Sequence, residues 1–103
     1  MPIAICNSHA VRVISNRALI DFAGKHTEAG EPLQAWRRVM ESSDFQHFAA
    51  LRTSFNHVDK AGDYHVFAIG GNKWRVIAFI HFPAQLCCIK HVLTHQEYDR
   101  WQP

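Results

Sequence analysis

Arg75, His95 and Tyr98 have the side-chain types for acid–base and phosphate chemistry, and their spacing lets them meet. Arg75 lies in a run from Lys73 to Phe82 that is rich in strand-forming residues. Side chains alternate across a strand, so Lys73, Arg75, Ile77, Phe79 and His81 are expected on one face. Trp74, Val76, Ala78, Ile80 and Phe82 share the other, which is wholly apolar and suits a core. His95 and Tyr98 stand three apart, on one side of a helix. Lys90, on the next strand, can approach the Arg75 face in a register the sequence does not fix. An imidazole, a phenol and several cations on one sheet edge suit cleavage of RNA through its own 2′-hydroxyl. That reaction needs a group to take the 2′-OH proton, a group to protonate the 5′-oxygen, and positive charge on the pentavalent phosphate. Histidine moves protons near neutral pH, which makes His95 the leading proton-transfer candidate, and arginine offers a permanent planar fork to phosphate oxygens. Tyrosine stacks on unpaired bases or hydrogen-bonds the phosphate. The nucleophile comes with the substrate, so neither metal nor cofactor is expected.

Each residue also has a plain structural reading. Lys73 and Arg75 can be solvated residues beside a turn, and His95 a surface histidine. Thr94-His95-Gln96-Glu97 matches the capping box, which predicts a short helix from His95 and assigns Glu97 to the cap. His91 and His95 straddle a strand end and share no helix face, there is no HExxH motif, and the region lacks the acidic cluster of a magnesium nuclease. Gly70-Gly71 is followed by no phosphate-loop motif and reads as a hairpin turn. Two rival classes remain: a non-catalytic module binding RNA or protein through the same basic face, and, more weakly, a metal-binding regulator using the histidines.

The elements that must position these groups follow from patterning. Ala10 to Ile14 reads as a short strand, and Ser15 as the cap of a helix from Asn16 that carries Leu19, Phe22, Ala23 and His26. Thr27 to Gly30 is a turn. Pro32 suits the first position of a second helix with Leu33, Trp36, Val39 and Met40 as its stripe. Ser42-Ser43-Asp44 is expected to break it and cap a third, bearing Phe45, Phe48, Ala49 and Arg52. Residues 55–58 read as a strand or an extended link, and Lys60 to Asp63 as a turn. Tyr64 to Ile69, Lys73 to Phe82 and Leu86 to Leu93 are strands, joined by Gly70-Gly71-Asn72 and by Pro83-Ala84-Gln85. Helices first and then a meander give an α+β class, with N-terminal helices on one face of an antiparallel sheet and a short C-terminal helix.

The 103 residues fit one domain, 1–103, and 48% hydrophobic against 19% charged content supplies a core rather than a disordered tail. No apolar run reaches the roughly 18 to 20 residues of a membrane span. The start, Met1 to Cys6, lacks the basic region of a secretory signal. Three cysteines, two of them adjacent (Cys87 and Cys88), form no disulfide framework, which points to a reduced, cytoplasmic protein with thiols as core filler. Net charge is only +2, but its distribution is uneven. From Tyr64 to Gln96 there is no Asp or Glu, while Lys73, Arg75, Lys90, His65, His81, His91 and His95 are kept. Buried strands explain the missing acids; the retained cations favour a polyanionic ligand.

The segment Val66 to Ile77 resembles the "VFNIGGNKYRLI" core of the HigB-type toxins, and Thr94 to Asp99 their closing "THAEYD". Arg12 to Ser15 and Leu33 to Trp36 are similar to that family's N-terminal strand and second helix, so the likeness runs from about Val11 to Trp101. It implies a RelE-like fold and an mRNA interferase toxin of a type II toxin–antitoxin system, cutting mRNA without a metal, commonly on the ribosome. It implies as partner a HigA-type helix-turn-helix antitoxin. By position, Arg75 falls on the family's strand arginine, His95 and Tyr98 on the motif closing its active site, and Asn72 and Lys73 on the hairpin approach. Ala68 replaces the usual Asn, Trp74 stands where Tyr is common, Lys90 where Arg is, and Leu93 where Gly is. Residues 1–9 form an N-terminal extension beyond the family's usual start.

Overall fold

The periodicities sort the chain into a helical half and a strand half. The computed structural model describes residues 11–102, so the expected extension over 1–9 and Cys6 lie outside the described residues. The order is β1 (Arg12–Ile14), α1 (Asn16–Lys25), a 3₁₀ turn (Thr27–Ala29), α2 (Gly30–Glu41), α3 (Phe48–Ser54), β2 (Val58–Ala61), β3 (Tyr64–Ile69), β4 (Trp74–His81), β5 (Leu86–Thr94) and α4 (His95–Arg100). The strands form one sheet in the order β1-β5-β4-β3-β2.

The core is built as strand alternation dictates. Trp74, Val76, Ala78 and Ile80 of β4 join Phe67 and Ile69 of β3 and Cys87 and Ile89 of β5 in one buried cluster. The helices contribute Leu19, Phe22, Leu33, Trp36, Met40 and Leu51 to it. The Trp36 ring meets Phe67 edge-on at 5.2 Å. No helix among the described residues is long and apolar enough to cross a membrane.

Several local expectations change. The sheet is not wholly antiparallel, because β1 runs parallel to β5. No hairpin joins those strands; the helices between them set the direction in which the first strand enters the edge. Its Val13 N–H donates to the Glu41 carboxylate at 3.0 Å. Helix α2 begins at Gly30, so Pro32 sits inside its first turn instead of opening it. Ser15 holds a left-handed backbone and makes no side-chain cap. Phe45 lies outside α3, which is capped by the His47 ring accepting the Ala50 N–H at 3.2 Å. What fixes Phe45 is Gln85, a buried amide that donates to Phe45 O at 2.7 Å and accepts Phe45 N–H at 3.0 Å. The segment entering α3 is thereby tied to the sheet.

Two features set up the second face of the sheet. The β3–β4 hairpin turns through Gly70, Gly71 and Asn72, all at positive φ, and a Cβ on Gly70 would stand 2.6 Å from the Trp74 ring. Glycine is required there on both counts. At the other end, the Thr94 hydroxyl accepts Glu97 N–H at 3.1 Å while the Glu97 carboxylate accepts Thr94 N–H at 2.9 Å. The capping box therefore starts α4 at His95, as its sequence predicts. Past the helix, the Trp101 ring packs against the rings of Tyr64, His91 and Tyr98 at about 6 Å, which holds α4 across the second face.

Candidate active site

Arg75 projects from β4 onto the face away from the core helices, opposite Leu93 of β5 and Ala68 of β3. It is only 8% exposed. Its Nη1 donates to the Asn72 carbonyl at 2.9 Å and the Trp74 carbonyl at 3.3 Å. Its Nη2 lies 3.1 Å from His95 Nδ1. A guanidinium has no acceptor, so Nδ1 takes the hydrogen and the neutral ring carries its proton on Nε2. That Nε2 faces Asp99 Oδ2 at 3.8 Å. The Tyr98 ring stacks beside the guanidinium, 5.2 Å from Cζ to centroid.

The ion pairs among the described residues leave Arg75 out. A nearly buried cation held only by neutral acceptors is costly, and the cost falls when an anion arrives from outside. Arg75 borders an open cleft of ≈ 310 Å³, with Asn72 and Tyr98 beside it and Val66 and Ala68 as its floor. The far wall is formed by Arg52, Asn56, His57 and Asp59. Those four come from the end of α3, the turn after it and β2.

The groups singled out in the sequence are thus partly brought together. Arg75, His95 and Tyr98 are mutually adjacent, and Asn72 meets Arg75 through its carbonyl. His95 contacts the guanidinium but is not among the cleft's lining residues. Lys73 belongs to the turn, and its ammonium lies over the Trp74 ring at 5.7 Å instead of beside Arg75. Lys90 is exposed at a β-bulge: Ile77 pairs with His91 and Ala78 with Ile89, which leaves Lys90 between them and outside the cleft. An extra residue in one strand re-aims its side chain, and nothing in the sequence announces it.

Sequence reasoning missed Arg52, Asn56, His57 and Asp59. The signal available was a polar pair, Asn56-His57, between apolar Phe55 and Val58. Phe55 packs on Phe67 at 5.2 Å and Val58 is buried, so the pair is pushed outward at the tip of a turn closed by Val58 N–H to Phe55 O at 3.2 Å. Among the described residues, no group of three or more His, Cys, Asp or Glu side chains is placed to hold a metal ion. Burial, helped by Cys88 and Glu41, pushes the Cys87 thiol up to about 12, so it is no nucleophile at neutral pH.

The profile of the HigB toxin family, described as the RelE-like toxic component of a toxin-antitoxin system, matches residues 29–101. The mRNA interferase toxin HigB of Escherichia coli K12 is 33% identical over 92 residues, covering 86% of this chain and 88% of the relative. The mRNA interferase HigB of Shigella flexneri matches to the same extent. That of Escherichia coli O6:H1 is 31% identical over 93 residues, covering 87% of this chain and 90% of the relative. A five-stranded α+β domain with a guanidinium at the mouth of a cleft thus comes with similarity over most of its length, and the chain belongs to the HigB family of RelE-like mRNA-interferase toxins.

Proposed function

We propose that the cleft beside Arg75 cuts mRNA by attack of the RNA's own 2′-hydroxyl, without a metal, leaving a 2′,3′-cyclic phosphate and a 5′-hydroxyl. The observation that carries this reading is the nearly buried Arg75, held by the Asn72 and Trp74 carbonyls and His95 and paired with no carboxylate among the described residues. A preorganised guanidinium of this kind stabilises the charge that gathers on phosphate oxygens in the transition state. Tyr98 stacks on a base or orients the phosphate. Asn72 and Lys73 line the hairpin approach, and Lys90 adds positive charge along β5 for the flanking strand. The substrate is mRNA on the translating ribosome, in the cytoplasm, on a RelE-like fold. A HigA-type helix-turn-helix antitoxin is the neutralising partner.

The test is end-group analysis of mRNA incubated with purified toxin and ribosomes. Cyclic phosphate ends that form equally well in EDTA, with the ribosomes intact, support the reading. Tight binding with intact RNA would replace it with a non-catalytic module, and loss of cleavage in EDTA would bring in a metal.

A further inference from the structure

Cleavage through a 2′-hydroxyl needs a group in the cleft that takes the nucleophile's proton, and the geometry makes His95 a poor choice for it. Its Nδ1 is committed to Arg75 Nη2 at 3.1 Å, its Nε2 faces Asp99, and it does not line the cleft. His95 is placed to position Arg75. The cleft has an imidazole of its own. His57 lines the same cleft as Arg75, and two further hollows of ≈ 190 and ≈ 390 Å³ also have it in their lining. His57 therefore borders all three hollows and is exposed to whatever occupies them. The anchors Phe55 and Val58 hold the turn that presents it.

This inference rests on the cleft being the RNA-cleaving site. We propose that His57 is its catalytic base. The imidazole takes the proton from the 2′-hydroxyl as the 2′-O–P bond forms and the P–O5′ bond breaks. The 5′-oxygen leaves with a proton from water, and the resulting hydroxide is neutralised by the proton on His57. Other charged or titratable groups face the same space: Arg52 from α3, Asp59 from β2, Arg75 from β4 and Tyr98 from α4. Among these side-chain types, imidazole is the one suited to accept a proton near neutral pH.

The experiment compares wild type, His57→Ala and His57→Gln in single-turnover cleavage of end-labelled mRNA on ribosomes from pH 5 to 9. Binding of a 2′-O-methylated RNA that cannot react is measured in parallel. His57 is exposed, so both variants are expected to keep the wild-type melting temperature. Both should cleave about 10²–10⁴-fold more slowly, bind the unreactive RNA within twofold of wild type, lose the acidic limb of the pH–rate profile, and let free imidazole restore part of the His57→Ala rate. A His57→Gln protein with the wild-type rate and pH profile overturns the assignment while leaving the cleft's function intact. A wild-type protein that cuts no RNA overturns both.

Discussion

Replacing Arg75 by methionine separates an anion site from a structural brace. The substitution keeps the length of the stem and removes the charge. In the folded chain it deletes hydrogen bonds to Asn72 O, Trp74 O and His95 Nδ1. Bonds from a charged donor are worth about 1.5–3 kcal/mol each, so their loss costs several kcal/mol. Against this, the substitution relieves the desolvation of a cation that is 8% exposed and has no carboxylate partner among the described residues, a penalty of several kcal/mol. The two roughly cancel. A change of about 1 kcal/mol moves the melting temperature of a domain this size by about 4–8 °C, so Arg75→Met should melt within about 8 °C of wild type. Its mRNA cleavage should fall at least ~10²–10³-fold, the cost of one lost transition-state donor. Calorimetry with and without inorganic phosphate completes the test: phosphate should raise the melting temperature of wild type and not of the variant. If Arg75→Met melts 15 °C or more below wild type, the guanidinium is a brace and the reasoning fails. If it cleaves normally, the phosphate role fails.

His95→Gln keeps a hydrogen-bond acceptor for Arg75 whereas His95→Ala does not; the alanine variant should lose about 10–100-fold in cleavage, matching about 1.5–3 kcal/mol for a charge-assisted bond, and the glutamine variant less. Equal, severe losses with a changed pH profile would instead make His95 a proton carrier. Gly70→Ala places a Cβ 2.6 Å from the Trp74 ring at φ +63, so stability should fall by at least about 2 kcal/mol in chemical denaturation; an unchanged midpoint would contradict the hairpin geometry. His65 lies between the Phe48 and Phe82 rings with both ring nitrogens unpaired among the described residues, and burial, helped by Lys60, lowers its pKa below the ordinary 6.5. Below pH 6.5 the unfolded chain then binds a proton that the folded chain refuses, so stability drops as pH falls through 6.5 toward the lowered folded value. His65→Phe should flatten that loss by up to ~1.4 kcal/mol per pH unit, read from melting temperatures between pH 7 and 5; parallel curves for the two proteins would show that His65 does not contribute.

One wall of the cleft was legible in the sequence and the other was not, and the difference is physical. The near wall depends on local rules. Alternation along β4 separates Arg75 from Trp74, Val76, Ala78 and Ile80; three consecutive positive-φ residues close the hairpin; and the capping box sets the first residue of α4, which fixes where His95 and Tyr98 lie. Each rule acts within a few residues, so a linear reading finds it. The far wall depends on tertiary packing. Arg52, Asn56, His57 and Asp59 reach the cleft because β2 pairs with β3 and because Phe55 and Val58 are buried on either side of a polar turn. The direction of β1 and the bulge at Lys90 are likewise set by neighbours distant in sequence, which is why an antiparallel edge is expected where β1 runs parallel, and why the sequence leaves open the register that decides how Lys90 stands toward Arg75. The two walls also differ chemically. The near wall holds a permanent charge whose hydrogen bonds are already made, and the far wall offers the imidazole whose nitrogens are not committed to Arg75. A cleft assembled this way closes only when the sheet's edge strand is in register. Mutations that loosen β2 should therefore abolish cleavage while the Arg75–His95–Tyr98 cluster, held by α4 and Trp101, remains intact.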